Sequence, residues 1–513
     1  MPNFAAGKCY ISDMEAKGRT PPGESGSGSP SVLILGAGVS GLCTGIQLRK
    51  AGIHSFTILE KSGKVGGTWF ENVYPGAACD VPSHFYCYSF EPNPDWSHKF
   101  SGQAEIREYL ERTAQKYGIV PHIRFGTEVA AASFDERAGK WRVRTTGGEE
   151  LLADVLVSGC GQLNRPRVPD LPGLGEFEGK SFHSARWDET YDMTGKNVVV
   201  VGNGASAIQF IPKLAAVAKH VTILQRSPNW VVPRGDYAYS ERAKRFFRVF
   251  PALARLYRWF FYWQLEKNYM AFGSEGYWAG WFHKGALAYL EASISDPELR
   301  RKLTPDYRVG CKRILIDDDF YPSLTRPNVS VVTSPIERIE RDAVRTADGA
   351  RHPADALVLA TGFQATSFLA PIQIEGLGGK KLEEVWRGGA EAHLGLTVAG
   401  FPNFFMMYGP NTNLGHNSII FMIECQVSYT VKCIQELARR GLAYMDVKPQ
   451  VMQAFNEELQ RDLEKSAWAA GCKSWYKTAS GKVTNNWSDF TVAYWWRTRR
   501  PDFAKFNLVP RRS

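Results

Sequence analysis

The 513-residue chain has nine cysteines, and no two of them stand in a Cys-x-x-Cys spacing. That absence removes a dithiol redox centre and the common zinc spacings, so no metal site is expected. Cys9, Cys43, Cys79, Cys87, Cys160, Cys311, Cys425, Cys433 and Cys472 are odd in number and scattered, which reads as reduced thiols in a reducing compartment. No apolar run reaches the ~18 residues that a spanning helix needs. The N-terminus lacks the continuous apolar stretch of a secretion signal, and a cytoplasmic protein is expected. Dense Lys/Arg runs are missing too. The net charge of +10 therefore suits small anionic ligands such as dinucleotides, and no nucleic-acid partner is expected. An apolar fraction of 44% with 22% charged residues excludes a disordered chain, a fibrous repeat and a long coiled coil. The length exceeds what one hydrophobic core serves, so two or more domains are expected.

What is present is a repeated pattern. Residues 1–29 are rich in Gly, Ser and Pro and read as a flexible tail. The apolar run Ser31-Val32-Leu33-Ile34-Leu35 predicts a buried parallel strand. Gly36-Ala37-Gly38-Val39-Ser40-Gly41 and a helix to about Lys50 follow, then a strand ending at Glu60. The pattern returns at Asn197–Val201, Gly202-Asn203-Gly204-Ala205-Ser206-Ala207, a helix to about Lys219, and the strand Val221–Leu224.

The first glycine of such a loop allows a tight turn and the second lets backbone approach a pyrophosphate. The third lets the helix pack close to the strand, and the helix N-terminus faces the phosphates. Gly36, Gly38 and Gly41, with Glu60 about 20 residues on to accept ribose hydroxyls, meet the full pattern. In the second unit Ala207 takes the third glycine's place, and Gly202, Gly204, Ala205 and Ser206 would meet the phosphates. There Thr222-Ile223-Leu224-Gln225 aligns with Thr57-Ile58-Leu59-Glu60, and Arg226 follows. A carboxylate would repel a 2′-phosphate, whereas a guanidinium binds it with paired bonds. FAD is expected at the first unit and NADPH, rather than NADH, at the second.

The expected fold is α/β: two Rossmann-like dinucleotide-binding domains, for FAD and NADPH, with a helical insertion. The FAD domain would occupy 30–160 and 355–513, the latter with a C-terminal mobile loop. The NADPH domain would occupy 161–354, with the insertion at about 236–305. Arg245–Trp263, where aromatic and basic residues alternate, reads first as a packed helical subdomain and second as a membrane-surface contact.

Gly66-Gly67-Thr68-Trp69, Tyr74-Pro75-Gly76 and Asp80 resemble a flavin-side motif of the type I Baeyer–Villiger monooxygenases, a group of the class B flavoprotein monooxygenases. Phe177-x-Gly179-x-x-x-His183-x-x-x-Trp187-Asp188, just before the second glycine loop, resembles their signature. The resemblance covers roughly residues 30 to 490. It implies that Thr68, Trp69, Asp80 and Tyr86 line the flavin and that the Val129 backbone meets the adenine. Lys312 would bind the 2′-phosphate beside Arg226, and Arg313 would be the catalytic arginine. Trp475 resembles a mobile-loop residue that closes over NADP and substrate, although Tyr476–Gly481 departs from the Gly-Ala-Asn-rich stretch common there.

The implied reaction inserts one oxygen atom from O2 beside a ketone carbonyl through a C4a-peroxyflavin, giving an ester or lactone. A related activity, oxygenation of sulfur or nitrogen, is the alternative. An always-charged guanidinium suits both a deprotonated peroxide and a developing oxyanion, and it needs a counter-ion, for which Asp80 is the candidate. His183 is expected to serve as structure or hinge, and Trp187 to pack. The loop Gly409–Asn417 either approaches the flavin ring or simply leads into a helix.

Overall fold

The computed structural model describes residues 29–272, 277–472 and 474–511. The expected tail, apart from its last residue, lies outside them, as does Lys473 beside Trp475.

Two five-stranded parallel sheets organise the chain. The first is nucleated by strand β1 (Val32–Leu35), helix α1 (Val39–Lys50) and strand β2 (Phe56–Leu59). β1 pairs in register with β2 on one side and with Val155–Ser158 on the other. Phe404–Met406 and Ile123–Arg124 form the edges. All four residues of β1 are buried, as a strand covered on both faces requires.

The second sheet repeats the plan with β3 (Asn197–Val201), α2 (Ala205–Val217) and β4 (His220–Leu224). Its strand order is Val329–Val332, β4, β3, Ala356–Leu359 and Lys180–His183. Ala356–Leu359 pairs with β3 on one side and with Lys180–His183 on the other. The boundary expected at 354/355 therefore falls one strand too early. An all-apolar strand reads alike in either sheet, and only its partners assign it.

The insertion comprises α3 (Glu241–Val249), α4 (Pro251–Glu266) and α5 (Tyr277–Ser293). The chain returns to the first sheet through Phe404–Met406 and α6 (Ile419–Arg440), which packs against α1. Ser418 caps the start of α6 by accepting from the Ile420 N–H, and Gly441 ends it in the left-handed conformation that glycine enters without strain. Among the described residues no helix is long and apolar enough to cross a membrane.

Candidate active site

Both glycine loops leave their helix N-termini without a side-chain cap: Gly38 precedes α1 and Gly204 precedes α2. The free N–H groups and the helix dipole at each end favour a phosphate. A side chain at Gly41 would collide with the Gly36 carbonyl, so helix and strand meet there only through glycine. A Cβ at Gly204 would meet nothing within 4 Å, which leaves that loop open to a ligand. Buried Glu60 accepts from the Ala37 N–H at 2.6 Å and the Ser62 N–H at 2.8 Å, with lone pairs left for ribose hydroxyls. These features fit a dinucleotide at each loop. A cleft of about 470 Å³ beside the first is lined by Lys61, Ser62, Glu128 and Ala185–Trp187. Val129, next to Glu128, is buried at the start of the strand Val129–Asp135.

Thr68 and Trp69 open a one-turn helix, Thr68–Glu71. The Trp69 indole N–H donates to the Tyr86 hydroxyl at 3.1 Å, and the two rings meet edge to face at 5.7 Å. Asp80, on the same flavin-side segment, forms an ion pair with Arg313 of the second unit. Both side chains keep about a third of their surface open (32% and 30%), so a ligand reaches them. Burial pushes the Asp80 carboxyl up, but the Arg313 guanidinium outweighs it and holds the carboxyl below its ordinary value. Asp80 in turn raises the Arg313 value. The pair is fully charged across the range in which proteins work.

Lys312 donates to the Ser227 hydroxyl at 2.7 Å. With Arg226, Asp306, Tyr307, Arg308 and the turn Ala470–Cys472, these residues line a cleft of about 440 Å³. Burial first, and then the nearby Arg226, lower the Lys312 ammonium below the usual lysine value. Three cations, Arg226, Arg308 and Lys312, against one acid, Asp306, in one cleft are the electrostatic mark of an anionic ligand. Gln225 does not share in it. It is buried, accepts from the Asn203 amide at 2.8 Å and donates to the Lys302 carbonyl at 2.7 Å, so its polar atoms are engaged inside the protein. Ala205 and Ser206 open α2 beside the loop.

Trp475 is half-buried against the main core, its ring 4.5 Å from that of Tyr476. The buried Tyr476 hydroxyl has no hydrogen-bond partner among the described residues. Burial pushes it up to about 12, against the opposing pull of Arg313. This neutral donor was not picked out as a site residue in the sequence. The cysteine expectation needs correction: Cys311 and Cys472 form a disulfide, their Cα atoms 6.3 Å apart, while Cys43, Cys79, Cys87, Cys160 and Cys433 are free thiols. The bond ties the Lys312-Arg313 segment to the loop before Trp475. Spacing rules see only near neighbours, and this pair is separated by 161 residues.

The signature residues frame the second sheet. Phe177 packs beside that sheet, and a Cβ on Gly179 would come within 2.6 Å of the Asp355 carbonyl oxygen. Trp187 packs on Phe182 and Phe210 at 5.1 and 5.2 Å. His183 is buried at the end of its strand, its Nδ1 accepting from the Ala185 N–H at 3.1 Å, and burial lowers its pKa. Neither ring touches the Arg313–Asp80 pair. Gln209 on α2, also unrecognised in the sequence, joins the units: it accepts from the Tyr74 hydroxyl at 3.0 Å and donates to the Ala78 carbonyl at 3.0 Å, two residues before Asp80.

The loop Gly409–Asn417 leads into α6 and is buried except at Gly415. Tyr408 takes a left-handed φ of 59° and donates to Asn413 at 2.6 Å, while the Asn411 amide donates to the Val483 and Asn486 carbonyls. Such a conformation in a bulky residue persists only where its surroundings hold it, here the Gln426 side-chain Oε1 accepting from the Tyr408 N–H at 2.8 Å.

Comparison with known proteins agrees with this geometry. A family model for flavin-binding monooxygenase-like (FMO-like) proteins matches residues 29–268. A Baeyer–Villiger monooxygenase of Streptomyces coelicolor is 43% identical over 480 residues, 93% of this chain and 92% of that one. Solved structures of OTEMO in complex with FAD and NADP and of closed cyclohexanone monooxygenase each superpose with a TM-score of 0.84 at 27% identity. They cover 94% of this chain and 100% and 99% of theirs. Two nucleotide units joined through a charged pair thus define a flavin-binding monooxygenase. Within that class the chain belongs to the type I Baeyer–Villiger monooxygenases.

Proposed function

We propose that this enzyme uses FAD, NADPH and O2 to place one oxygen atom beside the carbonyl of a small ketone, giving an ester or lactone, with Arg313 as its catalytic cation. The observation that carries the reading is the Arg313–Asp80 ion pair, which joins the flavin-side segment to the cation-lined cleft. FAD, which the α1 N-terminus and Glu60 would hold, would supply the redox chemistry with NADPH and O2.

The chain's own residues supply position and field. The α1 N-terminus and Glu60 hold one dinucleotide at its pyrophosphate and ribose. The α2 N-terminus, Arg226 and Lys312 hold the other, the two cations taking the 2′-phosphate. Arg313 stays protonated, so it stabilises negative oxygen at the reacting carbon without giving up a proton. Asp80 fixes the guanidinium and removes the cost of a lone buried cation. The unpartnered Tyr476 hydroxyl is a second donor beside that cation. Trp475, tethered through the turn at Cys472, covers the nucleotide and excludes water. NADPH supply argues for a cytoplasmic setting.

The test is product analysis with ¹⁸O2, NADPH and parallel panels of ketones and thioethers. The expected result is an ester or lactone carrying one ¹⁸O, with Arg313→Ala reducing its formation roughly 10²- to 10³-fold. NADPH-driven flavin reduction without oxygen should persist in that variant. Sulfoxide as the sole product, formed equally well by Arg313→Ala, overturns the reading.

A further inference from the structure

Helix α4 carries apolar residues on its outward as well as its inward side, whereas a surface helix usually keeps them on one face. Its inner half is buried: Phe261 and Tyr262 cluster with Phe85, and Arg258 donates to the carbonyls of Phe85 and Cys87, both at 3.0 Å. Among the described residues its outer half has no cover. Leu256, Trp259, Phe260 and Trp263 are 63%, 40%, 57% and 58% exposed, and they continue a stripe begun by Val249 and Phe250 at the end of α3, 59% and 48% exposed. Scattered exposed apolar residues are ordinary, but a helical stripe of this size is not.

Charge names the occupant. Arg242, Arg245, Arg255 and Lys267 are exposed beside the stripe. The only acids from Glu241 to Lys267 are Glu241, paired with Lys244, and Glu266, which is buried. The face is therefore apolar and aromatic with a cationic rim. A second copy meeting it about a two-fold axis would set that rim against itself. The geometry points to an anionic phospholipid bilayer as the partner, with α3 and α4 lying in the interfacial plane. The residues that α4 grips from its inner side, Phe85 and Cys87, flank Tyr86. A docked bilayer therefore lies one helix away from the flavin-side wall. Taken with the proposed ketone oxygenation, on which this step alone rests, that position gives the enzyme access to lipophilic ketones dissolved in the membrane.

Co-sedimentation of the FAD-loaded enzyme with vesicles of phosphatidylcholine, with and without phosphatidylglycerol, tests the surface independently of turnover. Binding should require phosphatidylglycerol and fade at high salt as screening removes the rim's attraction. Trp259→Ser with Trp263→Ser, and separately Arg245→Glu with Arg255→Glu, should each weaken it roughly tenfold or more, while flavin content and activity on a water-soluble ketone stay at the parent level. Equal sedimentation with both vesicle types, no sedimentation, or unchanged binding by both folded variants overturns the proposal. So does a concentration-dependent dimer that the tryptophan variant loses, since it gives the face to a second copy. Failure of ketone oxygenation with intact vesicle binding would remove only the substrate-access step.

Discussion

The two nucleotide units are built alike and differ at one contact. In the first, the residue after the leading glycine, Ala37, offers its backbone N–H to the strand-end carboxylate of Glu60. In the second, the same place holds Asn203, whose side-chain amide donates to the strand-end amide of Gln225. One strand end keeps a negative charge facing the loop. The other is neutral and tied up internally, which leaves the field to Arg226 and Lys312. In the proposed function, a fold duplicated in outline reads a ribose hydroxyl at one end and a phosphate at the other.

The third loop position breaks the comparison most sharply. Gly41 has no room for a Cβ, whereas buried Ala207 already carries one. Gly41→Ala should force α1 off the first sheet, costing about 1–3 kcal/mol or more. The protein should purify without yellow flavin and with a lowered Tm. The mirror change, Ala207→Gly, should cost only about 1 kcal/mol, keep FAD, and leave the NADPH KM near the parent value. Equal damage from both would mean that the two loops do not differ in packing.

A smaller effect separates the cations. Arg226→Ala or Lys312→Ala removes a charge-assisted partner of the 2′-phosphate and should raise the NADPH KM roughly tenfold, with NADH turnover spared. Steady-state rates with both nucleotides check it. An equal loss with NADH would give the pair a structural role.

Local chemistry was legible in the sequence, and long-range chain course was not. Both strand–loop–helix units could be read because glycine, strand and helix signals lie within one short window. The exchange of Glu60 for Gln225 with Arg226 is the basis for expecting the 2′-phosphate at the second unit. It did not show that Gln225 is consumed by Asn203 and Lys302, since Lys302 arrives from a helix 77 residues away. The Cys311–Cys472 bond, the Gln209 clamp on Tyr74 and Ala78, and the sheet that takes Ala356–Leu359 all depend on segments meeting across the fold. Arg313 and Asp80, 233 residues apart, came together in the reading only through family resemblance and the rule that a buried guanidinium needs a counter-ion. The cluster of aromatic and basic residues in Arg245–Trp263 was visible, but which of them face outward was not.

The finest test of the contrast is pH. Lys312 sits below the ordinary lysine value because of burial first and Arg226 second. Its charge in the free enzyme is thus lost, as pH rises, earlier than that of an exposed lysine. The kcat/KM for NADPH reports the free enzyme, so it should fall through that lowered value, while kcat/KM for NADH, which has no 2′-phosphate to hold, should stay flat over the same range. Arg226→Ala removes one of the two causes of the shift and should move the fall to higher pH, even as it weakens binding overall. Lys312→Arg, which never loses its charge, should abolish the fall. A profile unchanged in both variants would assign the titration to another group and leave Arg226 as the sole reader of the phosphate.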